Sequence, residues 1–401
     1  MLHQRLPRAG LRTLALACMA AIAYVDPGNF AVNVSAGAEH GYALVWVVVG
    51  ASLTASLVQY LAAKLGIATG QSLAENCRTR YGRGMRLALW AQAELVVIMT
   101  DLAELVGGAY ALNLLFGISM IWGAVIVAGF GFVVLALRIR GYEGFRPVLL
   151  ALFALIVTLL VAELVAAGVD GHALVRGLVP RPLDGSAALL AVGIIGATVM
   201  PHALHFHSAV AREDSRPRDL AKLAAAARSR RAIAIAMSCA AVANVSLVLI
   251  AARLPTEAAG GLSEAYAAIG AVLGQVAAVG FGLALLASGL SSTIVGIYTG
   301  QVVMQGFWRR PISLWLRRLL AVVPPLVILL IGVDPTTALV ISQVVLSFGL
   351  PANLIPLVLL TSQRPVMGRL VNARVTTVLA ALATAVIVGL DALLLIDLIA
   401  G

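Results

Sequence analysis

The residues best suited to chemistry lie in the middle of two hydrophobic stretches. Asp26 and Asn29 flank Pro27 and Gly28 within the apolar run 14–34. An ionised carboxylate at membrane depth is costly and is kept where it serves an ion or proton path. Because proline removes a backbone donor and glycine loosens the chain, the helix should break here and free carbonyl oxygens beside a carboxylate and an amide. Such oxygens are typical of a cation site; the alternative is a structural carboxylate neutralised by a helix N-terminus.

A second break is predicted at Met200-Pro201-His202, inside the apolar run 189–210. A thioether is a soft ligand that suits transition metals and gives little to Mg²⁺ or Ca²⁺. If Met200 lies opposite Asp26, the mixed oxygen and sulfur donors would favour Mn²⁺, Fe²⁺, Co²⁺ or Cd²⁺. If it does not, Met200 is a flexible filler of the core.

Three histidines follow the second break within six residues: His202, His205 and His207. Histidine titrates near neutral pH, so His202 is expected to tune the site or to relay protons. The alternative for His202 is a hydrogen-bonded packing residue, and His205 taken alone is expected to be structural. The spacing does not match a zinc site.

Carboxylates also recur along the third predicted span. Asp101 and Glu104 lie seven and ten residues after Glu94, close to two and three helical turns, which places all three broadly along one stripe of a helix. Three carboxylates in one span suggest a proton path. The alternative is salt bridging to Arg317 and Arg318 at the start of another span, and the two interpretations are compatible.

Gln343 and Asn244 are isolated polar residues in other apolar stretches. For each, hydrogen bonding between helices is the default interpretation. Gln343 is of greater interest because its helix can pack beside the broken ones.

The elements that must position these residues are membrane spans. The chain has 401 residues, of which 61% are hydrophobic and 11% charged, whereas soluble domains are about 25% charged. A span needs about 20 apolar residues. Eleven stretches qualify: 13–36, 42–66, 87–115, 119–138, 146–168, 187–210, 231–253, 271–300, 316–333, 336–361 and 375–398.

The basic residues support this count. With the N-terminus in the cytoplasm and the spans alternating, 25 of the 28 lysines and arginines fall on the cytoplasmic side. Only Arg176, Arg181 and Arg253 fall outside, and the C-terminus is placed outside. The net charge of +10 is therefore a signal of topology, and no nucleic-acid partner is expected.

The two predicted breaks occupy equivalent positions in an internal repeat. They lie in the first and sixth spans, so each repeat has five spans, and an odd number inverts the second repeat relative to the first. Paired broken spans of this kind point to a transporter site at the middle of the membrane. We expect one transporter domain, with repeats at 13–168 and 187–361 and an extra helix at 375–398.

Five motifs together resemble the Nramp family of divalent-metal transporters, and the resemblance covers nearly the whole chain. The two break motifs at their observed separation are the most specific part. The motifs are AYVDPGN (23–29), QAELVVIMTDLAE (92–104), GIIGATVMPH (193–202), LASGLSS (286–292) and SQVVLSFGLP (342–351).

The resemblance implies an all-α membrane protein with a LeuT-like fold and a particular set of functional residues. The metal would be held by Asp26, Asn29 and Met200, with backbone carbonyls at Ala23 and Ala197. Gln343 matches a position that approaches the metal in some conformations. The residues that match groups associated with proton movement are His202, Asp101 and Glu104, with Glu94 and Arg317 or Arg318 nearer the cytoplasm, and His207 as a second recurring histidine.

One segment departs from the family pattern. Members commonly carry Asn or an aliphatic residue and then Tyr after Met-Pro-His, where this chain has Ala203-Leu204-His205. His205 could add a titratable group beside the path. The presence of Met200 argues against a magnesium-transporting branch that lacks this methionine.

These observations predict a proton-coupled importer of Mn²⁺, with Fe²⁺ and Cd²⁺ as further substrates, in a bacterial cytoplasmic membrane. The metal is cargo and protons are the coupling ion; no permanently bound cofactor is expected. The partners are the metal ion and the lipid bilayer, and we expect a monomer. The main alternative is an ion-driven organic-solute transporter of the same fold. A membrane metal sensor and an enzyme are less favoured, because no signalling domain and no nucleophile–base pair stands out.

Overall fold

The computed structural model describes residues 5–140, 144–183, 185–214, 219–308 and 313–400, and these ranges contain helices and no strands. The α-helices are α1 (Arg5–Ile22), α2 (Pro27–His40), α3 (Val45–Thr69), α4 (Leu73–Arg80), α5 (Arg83–Phe116), α6 (Met120–Ile139), α7 (Phe145–Ala167), α8 (Gly171–Gly177), α9 (Gly185–Thr198), α10 (Pro201–Ala211), α11 (Asp219–Ala251), α12 (Leu262–Leu273), α13 (Gln275–Phe307), α14 (Leu314–Leu330), α15 (Pro335–Ser362), α16 (Arg364–Met367) and α17 (Arg374–Ala400). Short 3₁₀ helices lie at Ala23–Val25, Arg212–Asp214, Thr256–Gly260 and Gly368–Leu370.

The first span is broken where the sequence predicts. A 3₁₀ turn, Ala23–Val25, follows α1, and Asp26 then adopts an extended conformation with φ −82° and ψ 172°. Pro27 opens α2 at the first helical position, where its missing N–H costs nothing. The axes of the two segments differ by 51°.

The second break has the same cause. α9 ends at Thr198, and Met200 takes φ −32° and ψ 106° before Pro201 opens α10. The residue before a proline is disfavoured in the helical conformation, so the chain leaves the helix at Met200.

Nine helical segments within the described ranges are long and apolar enough to cross a membrane, and the bent pair of α1 and α2 makes ten. The one predicted stretch outside these ten, 316–333, corresponds to α14, which at 17 residues is at the lower limit for a span. All eleven predicted stretches are therefore helical. Four arginines that count toward the predicted cytoplasmic charge, Arg216, Arg218, Arg309 and Arg310, lie outside the described residues.

The helices pack in symmetric pairs, as two inverted repeats require. α7 packs on α1 just as α15 packs on α9, and α13 packs on α7 just as α5 packs on α15. In the same way, α11 packs on both halves of the first broken span, and α3 packs on both halves of the second. The breaks are therefore enclosed by equivalent helices of the two halves. The repeat boundaries remain a prediction.

The contact between α5 and α13 depends on small residues. A methyl group placed on Gly289 would lie 3.0 Å from the Cα of Gly108, and one on Gly296 would lie 2.6 Å from Oε1 of Glu104. Both distances are shorter than normal van der Waals contact. Without these glycines the helix that carries the predicted carboxylates could not approach α13 so closely.

Gly289→Leu should destabilise the protein by about 1–3 kcal/mol, because the added side chain overpacks the contact between α5 and α13. Thermal unfolding in detergent measures this. Gly389→Leu is the matched control, since Gly389 lies on α17 with nothing within 4 Å of an added methyl group. Equal melting temperatures for the two variants would contradict the close packing.

Candidate functional site

Asp26 and Asn29 hold each other across the first break. The backbone N–H of Asn29 donates to Asp26 Oδ1 at 2.9 Å, and the backbone N–H of Asp26 donates to Asn29 Oδ1 at 3.1 Å. This reciprocal pair is a capping box that satisfies two backbone donors at the start of α2. Both side chains are fully buried. Asp26 Oδ2 has no hydrogen-bond partner among the described residues, so it is free to accept a ligand.

Two carbonyls released by the break are captured by other helices. Asn244 Nδ2 on α11 donates to the carbonyl of Tyr24 at 2.7 Å, and Ser288 Oγ on α13 donates to the carbonyl of Val25 at 2.7 Å. Asn244 also accepts a hydrogen bond from Asn33 at 2.9 Å, which confirms its predicted role between helices. In the part of the chain that the structure describes, no side-chain donor reaches the Ala23 carbonyl.

Gln343 lies against both breaks. A methyl group on Gly28 would collide with the Gln343 side chain, and one on Gly196 would collide with the Gln343 carbonyl oxygen. α15 therefore contacts both broken spans at one residue. Gln343 Nε2 donates to Ser342 Oγ at 3.0 Å, while its Oε1 is unpartnered within the described ranges. The expected packing of this helix beside the broken ones is confirmed.

The predicted ligands at the second break are also buried. Met200 immediately precedes α10 and is fully buried, and Ala197 lies in the last turn of α9 with no exposed surface. Because α9 packs against both α2 and the Ala23–Val25 turn, the two breaks are neighbours.

A conventional cluster of metal ligands is absent from the described chain, where no trio of His, Cys, Asp and Glu side chains could hold a metal ion. A metal ion between the breaks would therefore depend on the mixed set of one carboxylate, amides, carbonyls and the Met200 thioether.

Two of the three predicted carboxylates of α5 form ion pairs with consecutive arginines of α14. Arg318 Nη1 lies 2.6 Å from Asp101 Oδ1, and both side chains are about 5% exposed or less. Arg317 Nε lies 3.4 Å from Glu94 Oε2 in a slightly more open environment. The salt-bridge interpretation of these two carboxylates is therefore confirmed.

Glu104 is different. It is 1% exposed, and neither carboxylate oxygen has a hydrogen-bond partner among the described residues. Its carboxylate packs against the backbone of α13 at Gly296. An unpaired carboxylate at this depth is a candidate for holding a proton.

His202 is connected to α5 through Thr100. His202 Nδ1 lies 3.2 Å from Thr100 Oγ1, which also donates to the Val96 carbonyl at 2.9 Å. Because the hydroxyl has only one proton, the contact with His202 favours the tautomer with the proton on Nδ1. Thr100 precedes Asp101, so His202 is placed one residue from the ion pair with Arg318. His207 is 3% exposed, and its Nδ1 has no partner in the described chain.

His205, the residue that departs from the family pattern, joins three helices. His205 Nε2 lies 2.7 Å from Asn353 Oδ1 on α15, and Asn353 Nδ2 donates to Gln92 Oε1 on α5 at 3.0 Å. Both amides also donate to the Gly349 carbonyl, at 3.0 and 2.8 Å. The structural role expected for His205 agrees with this network, which we call the inner amide network.

Sequence reasoning missed two buried carboxylates. Asp391 on α17 is 5% exposed and accepts a hydrogen bond from Ser347 Oγ at 2.7 Å, one turn after Gln343. Glu163 on α7 is 4% exposed, with both oxygens unpartnered among the described residues. An acidic residue inside an apolar stretch was the signal that singled out Asp26, and the same signal would have found both.

Comparison with known proteins agrees with this architecture. Residues 17–397 match the family described as natural resistance-associated macrophage protein-like, or Nramp. The chain belongs to the Nramp family. A divalent metal cation transporter, MntH, of Yersinia pestis (strain Pestoides F) is 43% identical over 402 residues, covering 98% of both chains. An MntH of Deinococcus radiodurans is 44% identical to this Nramp chain over 97% of its length and 90% of the relative's.

Comparison with solved structures agrees with the family and gives the fold. A manganese transporter of Eremococcus coleocola superposes with a TM-score of 0.85 at 29% identity, covering 97% of this Nramp chain and 86% of that one. Mhp1, a nucleobase-cation-symport-1 family transporter, gives a TM-score of 0.58 at 19% identity over 85% of this chain and 77% of its own, which shows the fold alone. The predicted LeuT-like fold of this Nramp chain is confirmed.

Breaking the inner amide network should destabilise the protein. Asn353→Leu leaves His205 Nε2 and Gln92 Oε1 without their partner, at a cost of about 1–3 kcal/mol. A double-mutant cycle of His205→Phe with Asn353→Leu, measured by thermal unfolding, should show a coupling energy of about 0.5–3 kcal/mol.

The control cycle pairs His205→Phe with Ser362→Ala, because Ser362 bonds only within its own helix at Leu359. Additive effects for His205 and Asn353 would contradict a direct bond between them.

Proposed function

We propose that this protein imports divalent transition-metal ions, Mn²⁺ above all and also Fe²⁺ and Cd²⁺, with proton coupling and alternating access. The observation that carries the proposal is the Asp26 carboxylate. It is fully buried at a helix break, with one oxygen fixed by Asn29 and the other unpartnered in the described chain. The relatives named as divalent metal cation transporters and as a manganese transporter support the same conclusion. The protein is a carrier and not an enzyme.

In this proposal six residues supply the ligands of the transported ion. Asp26 Oδ2 offers a charged oxygen, and the oxygens of Asn29 and Gln343 offer neutral ones. An amide oxygen has two lone pairs, so Asn29 Oδ1 can cap the helix and still face the ion. The carbonyls of Ala23 and Ala197 and the Met200 sulfur complete the set, and the sulfur selects against hard ions.

Proton movement is proposed to start at the same carboxylate. A divalent cation beside Asp26 favours its ionised form, so a proton held there leaves when the metal arrives. Asp101 and Glu104 lie on α5, and His202 contacts this helix at Thr100. The Glu94–Arg317 pair continues the same stripe of α5 toward the cytoplasm. His207 is a further titratable group on α10.

The same proposal includes the orientation in the membrane. The basic loops support a bacterial cytoplasmic membrane with the N-terminus inside and the C-terminus outside. Bundle rocking about the two breaks would expose the site to each side in turn. We propose a monomer as the working unit, since each chain contains a whole set of ligands.

The organic-solute alternative has less support. A half-helix N-terminus can hold a solute carboxylate in this fold, and MhsT, described in complex with L-phenylalanine, shares the fold at a TM-score of 0.57 and 15% identity. At that identity the likeness concerns the fold alone. Asp26 would repel an anionic group at the same place.

Replacing Asp26 by Asn should abolish Mn²⁺ uptake and weaken Mn²⁺ binding by at least about tenfold, because the charged ligand is lost while the amide keeps the size of the carboxylate. Uptake into proteoliposomes and calorimetric titration measure the two effects. Asp170→Asn is the control, since Asp170 is an exposed cap of α8. Unchanged metal binding in Asp26→Asn would disprove the proposed mechanism.

Met200→Ala should keep Mn²⁺ transport but allow Ca²⁺ or Mg²⁺ to compete better, because a soft ligand has been removed from the site. Competition of each hard ion against Mn²⁺ uptake gives the readout. Met237→Ala removes an equally buried thioether from α11 and should leave the competition unchanged. If Met200→Ala behaves like Met237→Ala, the sulfur has no part in selectivity.

The coupling is tested by Mn²⁺ uptake with and without an inward proton gradient, in the presence of excess Mg²⁺ and with internal pH recorded. Uptake that resists Mg²⁺ and acidifies the lumen is the expected result. Uptake without proton entry would limit Glu104 and the two ion pairs to a structural role.

A further inference from the structure

A cleft of about 520 Å³ opens where α4 and α13 end and α5 begins. Its lining consists of Arg78, Thr79, Arg86, Phe307 and Trp308. Among the described residues, the lining contains two guanidinium groups and two aromatic rings but no carboxylate. We call it the arginine cleft.

Unlike Arg212, Arg317 and Arg318, the two guanidinium groups of the cleft have no carboxylate partner among the described residues. Arg212 pairs with Glu75 at 2.8 Å, and Arg317 and Arg318 pair with carboxylates of α5. Arg78, in contrast, donates only to the Gln305 carbonyl at 3.2 Å, and Arg86 has no ion pair within the described ranges. The positive charge in the cleft is therefore available to an anion.

The start of α5 adds to this charge. α5 begins after Gly82 without any side-chain cap, so no side chain in the described ranges accepts from the N–H groups of its first turn. The N-terminus of a helix carries a partial positive charge from these groups. Arg86 lies in the next turn, so the helix end and the guanidinium groups act on the same region.

The surroundings of the cleft match the level of lipid headgroups. Trp308 packs edge-on against Trp90 with ring centroids 5.2 Å apart, and tryptophans collect at the boundary between membrane and water. Beside the cleft, Trp308 is 38% exposed and Leu87, the residue after Arg86, is 49% exposed. An acyl chain can lie against these two side chains while a headgroup occupies the cleft.

We propose that the arginine cleft binds the phosphate group of an anionic phospholipid from the cytoplasmic leaflet. Arg78 and Arg86 neutralise the phosphate, Trp308 forms a wall of the headgroup site, and the exposed surfaces of Trp308 and Leu87 accommodate an acyl chain. The bound lipid would tie together the start of α5 and the end of α13. This inference rests on the orientation given under the proposed function but not on the metal site.

The test is native mass spectrometry of the purified full-length protein with equal amounts of phosphatidylglycerol and phosphatidylcholine. The wild-type protein should retain phosphatidylglycerol preferentially, and the preference should fall as ionic strength rises. Arg78→Gln and Arg86→Gln should each weaken it by about fivefold, in line with the attraction of one basic residue to an anionic membrane surface.

The double variant Arg78→Gln with Arg86→Gln should lose the preference more fully than either single variant, and Arg140→Gln with Arg374→Gln is its control. It removes the same charge from two exposed arginines outside the cleft lining and should keep the wild-type preference. Arg78→Lys with Arg86→Lys should also keep most of it, which separates lost charge from lost folding. Equal loss in the cleft and control variants would overturn the proposal, as would a wild-type protein without preference.

A soluble phosphate is distinguished by a further measurement. Excess inorganic phosphate should leave the retained phosphatidylglycerol in place, because the apolar surfaces of Trp308 and Leu87 contribute to lipid binding alone. Complete displacement would show a site for a soluble phosphate and would overturn the assignment to a lipid. Mn²⁺ binding by the wild-type protein, measured in parallel, reports separately on the metal site.

Discussion

A helix interrupted inside a membrane leaves backbone groups that water cannot reach, and each must find a partner in the protein. At the first break, the side chains of Asn29 and Asp26 accept hydrogen bonds from each other's backbone N–H groups. Asn244 and Ser288 donate hydrogen bonds to two of the freed carbonyls. These partners come from α2, α11 and α13. The hydrogen bonds at this one break therefore fix the positions of three helices around it. The atoms that remain unpartnered among the described residues, above all Asp26 Oδ2, are available to a cation.

The buried charges of the bundle are also largely partnered within the protein. Burying an ion pair is tolerable when its geometry is good, whereas burying one charge alone is severe. α14 supplies two consecutive arginines, and each meets one carboxylate of α5. Glu104 is left out of this arrangement, and so is Asp391 apart from its bond to Ser347. Among the described residues, α5 thus carries two carboxylates that are paired with arginines and one, Glu104, that is not.

The breaks could be predicted because proline and glycine act on their own neighbourhood. The partnership of Arg317 and Arg318 with α5 was also predictable, because few arginines lie inside apolar stretches. In contrast, the bonds of Asn244, Ser288 and His205 join residues that are 148 to 263 positions apart. Their formation depends on the rotation and depth of each helix, which one sequence does not contain. Asp391 is a different case, because an acidic residue inside the apolar stretch 375–398 is visible in the sequence itself.

The helices differ greatly in length, and this shapes the lipid around the protein. α14 has 17 residues and rises about 26 Å, whereas α5 and α13 have 34 and 33 residues. A typical hydrocarbon core is about 30 Å thick. The bilayer beside α14 must therefore thin, or the helix must draw polar headgroups inward, whereas the longer neighbouring helix α5 imposes no such demand. The bilayer around the protein is consequently thinner beside α14 than beside the longer helices. A change in membrane thickness therefore acts mainly on α14, the helix that carries Arg317 and Arg318.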